Sequence, residues 1–208
     1  MRAAPARMTV TLAALTVASY VVVAALDRSQ AAALVGGFIP ARVTGMALAG
    51  AMPVWLTPLT AALLHGGVLH LSFNLLMLVY CGREDEVALG GGGMVLLYVA
   101  GAYAAAAAQF VAGPHSAVPM IGASGAISAL VGAYAILYGQ RRPSKLSPEL
   151  ARWVHILWLA VTWVVVQALL GLASATVGVA MAASAHVGGF VAGLLLARPL
   201  LRWRYRKA

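Results

Sequence analysis

Residues 87–140 read VALGGGGMVLLYVAGAYAAAAAQFVAGPHSAVPMIGASGAISALVGAYAILYGQ, 54 positions without a single Lys, Arg, Asp or Glu. A bilayer core about 30 Å thick is crossed by roughly 20 apolar residues in helical form. This stretch therefore has room for two crossings. The run Ala112-Gly-Pro-His-Ser-Ala-Val-Pro119 breaks it with turn formers, which predicts one helix over 93–112 and another over 123–140. Gly90 to Gly93 are expected to make a flexible turn before the first of them.

The same arithmetic extends in both directions. Met8 to Leu26 is uncharged and long enough for one crossing, which gives one helix over 8–26. Val43 to Gly82 is a run of 40, broken by Pro53, Pro58 and Gly66-Gly67, and predicts a loop followed by a helix over 67–83. Trp153 to Ala197 is a run of 45 with an interruption near Gly171 to Gly178, and predicts helices over 153–172 and 177–198. The expected fold is thus an all-α membrane protein, a bundle of six transmembrane helices in one domain over 1–208. Composition agrees: 62% of residues are hydrophobic and 9% charged, against about a quarter charged in a soluble domain. The segment 28–66, rich in Gly, Ala and Pro, reads as an outer loop with interfacial elements, because irregular backbone is not tolerated deep in lipid.

Six crossings place both termini on one side. With that side cytoplasmic, 12 of the 14 basic residues lie inside and only Arg28 and Arg42 outside, as the positive-inside rule requires. The net charge of +9 is therefore a topology signal, and no nucleic-acid partner is implied. The first helix is read as retained, since no run of small cleavage-site residues precedes Asp27. The single Cys81 excludes an intrachain disulfide. Short loops suggest a plasma (inner) membrane.

Polar groups inside lipid are costly and ask for a partner or a purpose. Four stand out in the predicted spans: His70, Asn74, Ser124 and His186. Helices two, four and six all run inward. Counting back from the first basic residue at each inner end, at 1.5 Å per residue, puts Ser124, His186, His70 and Asn74 at heights of about 26, 18, 20 and 14 Å. Tilt and uncertain ends allow one layer. Ser124, Ser128 and Gly132 recur every four residues beside Gly125, and His186, Gly189 and Gly193 share a face at i, i+3 and i+7. Small faces let helices approach closely in lipid, so packing these two would carry the Ser124 hydroxyl towards the His186 ring. A serine needs an adjacent base to become a nucleophile, and a neutral imidazole suits that task. No acid is expected at this depth, which implies a Ser-His dyad without a third member. His70 and Asn74, at i and i+4, can present donors to an oxyanion together with the backbone N–H of Ser124.

Other chemistries lose ground on the same residues. His-Glu-x-x-His is absent. His65 and His70, five apart, lie about 140° apart on a helix and make no two-histidine face. No pair of buried carboxylates is expected, and no metal or other cofactor is implied. Gly122-Ala-Ser124-Gly125-Ala126 is not the G-x-S-x-G elbow of soluble hydrolases.

Three segments resemble the rhomboid family of intramembrane serine proteases: His65-Gly-Gly-Val-Leu-His70-Leu-Ser-Phe-Asn74, Gly122-Ala-Ser124-Gly125, and Ala185-His186-Val-Gly-Gly189-Phe-Val-Ala-Gly193. Tyr80-Cys-Gly82 followed by Glu86 is similar to the family's end of helix two. The resemblance covers a core of about 55–198. It implies Ser124 as nucleophile, His186 as general base and acid, and His70 with Asn74 at the oxyanion site. It implies transmembrane proteins as substrates, cut within the bilayer from a site open to the outer face below the 113–121 loop. Two positions depart from the family pattern. Leu56 and Thr57 stand where a Trp-Arg pair is common, and Ser128 stands where some members lay an aromatic ring on the histidine. The alternatives are a catalytically inactive rhomboid-like factor that binds membrane segments, and a small channel or transporter. Substrate identity and oligomeric state are not legible.

Overall fold

The computed structural model describes residues 6–138, 147–175 and 182–206. Its helices are α1 (Arg7–Ala25), α2 (Ser29–Gly36), α3 (Pro40–Val43), α4 (Thr57–Leu63), α5 (Val68–Ala112), α6 (Ser124–Leu137), α7 (Pro148–Ala175) and α8 (Ala183–Arg204). Four of these (α1, α5, part of α7, and α8) are long and apolar enough to cross a membrane; α6, at 14 residues, is shorter. The architecture is an all-helical membrane bundle. Much of the predicted positive inner surface, including Arg2, Arg141, Arg142, Lys145 and Lys207, lies outside the described residues. So does the start of the sixth predicted helix, 177–181.

α5 corrects the expected inner turn. Its 45 residues would make a rod of about 68 Å, more than twice the hydrocarbon thickness. The helix breaks at one residue, Gly90 (φ 76°, ψ 162°), and Gly91 to Gly93 are helical. Contacts with α6 show what the break does. Before it, His70 lies at Gly122 and the Glu84 carbonyl accepts from the Tyr138 hydroxyl at 2.8 Å; this half runs parallel to α6. After it, Gly101 faces Ala129 and Ala105 faces Gly125; this half runs antiparallel. The chain thus reverses about a single left-handed glycine, a conformation that costs glycine nothing.

The helix before the break is also longer than predicted, continuing through Glu84, Asp85 and Glu86. The reason is tertiary. α1 begins without a capping side chain of its own, so its first N–H groups lack partners. Glu86 supplies them from another helix: Oε1 accepts from the Met8 N–H at 2.9 Å, and Oε2 accepts from the Thr9 N–H and hydroxyl at 2.8 Å each. A carboxylate there also opposes the positive end of the α1 dipole. Asp85 is fully buried with both oxygens unpartnered. Two buried carboxylates are therefore present, against the sequence expectation. They are adjacent in sequence, about 100° apart around the helix, and Glu86 is committed to α1.

The segment 28–66 is more ordered than a loop. Three short helices fill it, pinned by the Thr60 hydroxyl donating to the Gly36 carbonyl at 2.6 Å and the Arg42 guanidinium donating to the Met52 carbonyl at 2.8 Å. Phe38 and Met120 exchange both backbone hydrogen bonds, at 3.0 and 2.8 Å. This joins the segment 28–66 to the strand-like approach to α6.

The core is centred on α6. Ile127, Ala129, Leu130 and Ala133 are completely buried, in one cluster with Met94 and Leu97 of α5 and Ala197 of α8. In contrast, α1 and α7 expose Leu15, Val21, Val22, Leu157, Trp158 and Val161, as surfaces solvated by hydrocarbon do. α8 continues beyond the predicted stop at Arg198, through Pro199, to Arg204.

Candidate active site

The head of α6 is built on Gly122 (φ 114°). A Cβ at this position would strike the His70 ring, 2.7 Å from both Cε1 and Nε2, so the absence of a side chain lets His70 lie over the turn. The Gly122 N–H is held by the Ala61 carbonyl at 2.9 Å. Ser124 then opens the helix, where first-turn N–H groups have no intrahelical acceptor and the dipole is positive.

Tight packing carries the second element in. Cβ atoms at Gly189 and Gly193 would each stand 2.0 Å from a carbonyl oxygen of α6, those of Gly125 and Ala129, and one at Gly132 would stand 2.4 Å from the Phe190 carbonyl. α8 thus lies parallel to α6 at backbone contact. A Cβ on Gly125 would meet Ala105 of α5 at 2.5 Å instead. His186, one turn before Gly189, reaches Ser124: Nε2 to Oγ is 2.8 Å, with both residues buried. A neutral ring with its lone pair at Nε2 accepts the hydroxyl proton here. The hydrogen-bond partner of the ring is the Ser124 hydroxyl; of the two buried carboxylates, Glu86 caps α1 and Asp85 has no partner. The first turn of α8 is further tied to α5 by the Ser184 hydroxyl donating to the Gln109 amide oxygen.

His70 has a definable tautomer. Its Nδ1 accepts from the Gly66 N–H at 3.4 Å, which leaves Nε2 to carry the proton. The donor end of the ring thus points at the Gly122–Ser124 turn; a Cβ built on Gly122 would be 3.8 Å from the Ser124 Oγ. Asn74 is placed differently from His70. It is buried, its Nδ2 donates to the His70 carbonyl one turn back at 2.8 Å, and its Oδ1 has no partner. One Nδ2 hydrogen remains for another acceptor.

Two residues escaped the sequence reading. His65 is not on a helix, so helical spacing does not govern where it points, and its ring packs at 4.9 Å from that of His70. Its Nε2 accepts from the Ala123 N–H at 3.5 Å. Burial, reinforced by the neighbouring His70, lowers its pKa to about 4. His65 is thus neutral at pH 7. Among the described residues, no group of His, Cys, Asp and Glu is arranged to hold a metal ion. The second is Trp163 of α7. Its Nε1 donates to the Ser128 Oγ at 2.7 Å, and its ring meets His186 edge-on at 6.5 Å. Where some family members use the position of Ser128 to stack a ring on the histidine, here an aromatic from a different helix stands beside the imidazole.

Known proteins match this chain. The Rhomboid domain profile matches residues 53–203. The rhomboid protease GlpG of Serratia proteamaculans (strain 568) is 34% identical over 138 residues, 65% of this chain and 45% of that protein. The rhomboid protease GluP of Bacillus subtilis (strain 168) is 40% identical over 79 residues, 38% of this chain and 15% of that protein. The aligned region thus spans less than half the length of these relatives.

Proposed function

The chain belongs to the rhomboid family, and from that premise we propose that it is an intramembrane serine endopeptidase working through a Ser124–His186 dyad. The observation that carries the proposal is the 2.8 Å contact between His186 Nε2 and Ser124 Oγ, two buried side chains 62 residues apart in sequence. α5 counts as two crossings because it reverses at Gly90, and α6 is a short sixth. With α1, α7 and α8 the domain has six spans, both termini on the cytoplasmic side of the plasma membrane, and a site that opens outward.

The chemistry follows from the geometry. A substrate transmembrane segment, locally unwound, presents a peptide carbonyl to Ser124. His186 Nε2 takes the hydroxyl proton as Oγ bonds to the carbonyl carbon, and the carbonyl oxygen becomes an oxyanion. The His70 Nε2–H, the Ser124 backbone N–H at the positive end of α6 and the free Asn74 N–H stabilise it, and one such donor is worth about 10²–10³ in rate. The imidazolium returns the proton to the leaving amine, which leaves an acyl-enzyme at Ser124. Water, activated by the same imidazole, then frees the new carboxylate and regenerates the serine. Gly125, Ser128, Gly132, Gly189 and Gly193 serve by bringing α6 and α8 close enough for the dyad to form.

The test is cleavage of a single-span reporter protein reconstituted with the enzyme in liposomes. Wild type cuts within or at the edge of the span, and Ser124→Ala and His186→Ala do not. Intact reporter with every variant, alongside capture of the reporter by the folded protein, would support the non-catalytic binding factor.

A further inference from the structure

Ser128 is completely buried and its hydroxyl is committed on two sides. Oγ donates to the Ser124 carbonyl at 2.7 Å and accepts from Trp163 Nε1 at 2.7 Å. A hydroxyl has one proton; with that proton on the carbonyl, the indole N–H occupies a lone pair and fixes the rotor. The other end of the chain of contacts is the nucleophile's own backbone. Trp163 also lies against the base: ring centroids are 6.5 Å apart at 70°, inside the range where aromatic pairs attract. Trp163 itself is 4% exposed. One buried indole thus meets the imidazole with its ring and, through Ser128, the helix turn that carries the serine.

We infer that Trp163 is a positioning residue for the dyad, setting His186 by ring contact and Ser124 through the Ser128 hydroxyl. The inference rests on the dyad reading above. It gives α7 a role in activity. A groove of about 330 Å³ opens between α7 and α8 beside Trp163 and His186, so the contact between these helices is incomplete at this level. Moving α7 away from α8 across that groove would withdraw the indole from Ser128 and His186 together and loosen the pair.

The test is the rate at which a fluorophosphonate labels Ser124 in full-length protein, with the active fraction titrated so that misfolded molecules do not count. Trp163→Phe keeps a ring and removes the N–H; labelling falls about tenfold (~1.4 kcal/mol). In a Ser128→Ala background the same change lowers the rate less than twofold, because the partner is already gone. Trp163→Leu removes the ring, and the acid limb of the pH–rate profile moves by about half a unit or more; Trp163→Phe leaves that limb in place. A merely structural tryptophan would change the active fraction and thermal stability with additive rate effects and an unmoved limb, and that result would overturn the inference. Ser124→Ala separates the two levels. If it labels like wild type, the dyad reading fails and takes the inference with it. If it does not label but the Trp163 and Ser128 effects are additive, the inference alone fails.

Discussion

Replacing Gly189 by Ala puts a methyl group 2.0 Å from the Gly125 carbonyl oxygen and 3.1 Å from the Ser128 Cβ. Ordinary contact begins at 3.4 Å, so α8 must retreat by more than an ångström if α6 holds still. The obstacle is backbone, and no rotamer change relieves it. His186 is three residues earlier on the same rigid helix. Carried outward with it, Nε2 would move from 2.8 Å to about 4 Å from the Ser124 hydroxyl, beyond hydrogen-bond range. Overpacking of this kind costs about 1–3 kcal/mol in stability, and a misplacement of about 1 Å at reacting groups costs about 10²-fold in rate. The assay is fluorophosphonate labelling of purified protein with a thermal melt alongside. Gly92→Ala is the matched control: a Cβ there meets nothing within 4 Å, and alanine in a helix gains about 0.5–1 kcal/mol over glycine. If Gly189→Ala labels within threefold of wild type, α8 does not hold His186 in the way described.

Three further outcomes are expected. Gly122→Ala forces a side chain into a left-handed backbone, at about 1–3 kcal/mol, and into the His70 ring; reporter cleavage should fall at least as far as it does in His70→Ala. Glu86→Ala removes the acceptor of three hydrogen bonds at the start of α1 and should lower stability by about 3 kcal/mol, read as earlier denaturation in mild detergent. His65 gives a pH dependence. Its folded pKa is depressed to about 4 from the ordinary 6.5, so between these values the unfolded chain binds a proton that the folded chain does not. Stability present above pH 6.5 is therefore lost on acidification, at up to about 1.4 kcal/mol per pH unit. His65→Gln should make the acid slope shallower by that amount in denaturation measured from pH 7 to 4.

The helical, membrane-embedded class was legible because hydrocarbon enforces it: a charge-free run as long as Val87 to Gln140 fits little besides lipid. The small-residue faces at Gly189, Gly193 and Gly132 were legible too, since close approach in lipid leaves a periodic trace. What escaped depends on partners distant in sequence. Glu84, Asp85 and Glu86 look like the end of a span until α1 is seen to need Glu86 as its cap. Four successive glycines suggest a loop, yet only Gly90 breaks the helix, because one reversal needs one left-handed residue. His65 and His70 fail as a helical pair and meet because one of them lies off the helix. Trp163 had no signal at all in a helix rich in tryptophan, as its hydrogen bond to Ser128 crosses 35 positions.

The central claim is that Ser124 is activated by His186, and the most direct measurement is peptide mapping by mass spectrometry of the fluorophosphonate-treated protein. One adduct is expected, on the peptide containing Ser124, lost in His186→Ala while that variant stays folded. An adduct on another serine, or an undiminished Ser124 adduct without the imidazole, would contradict it.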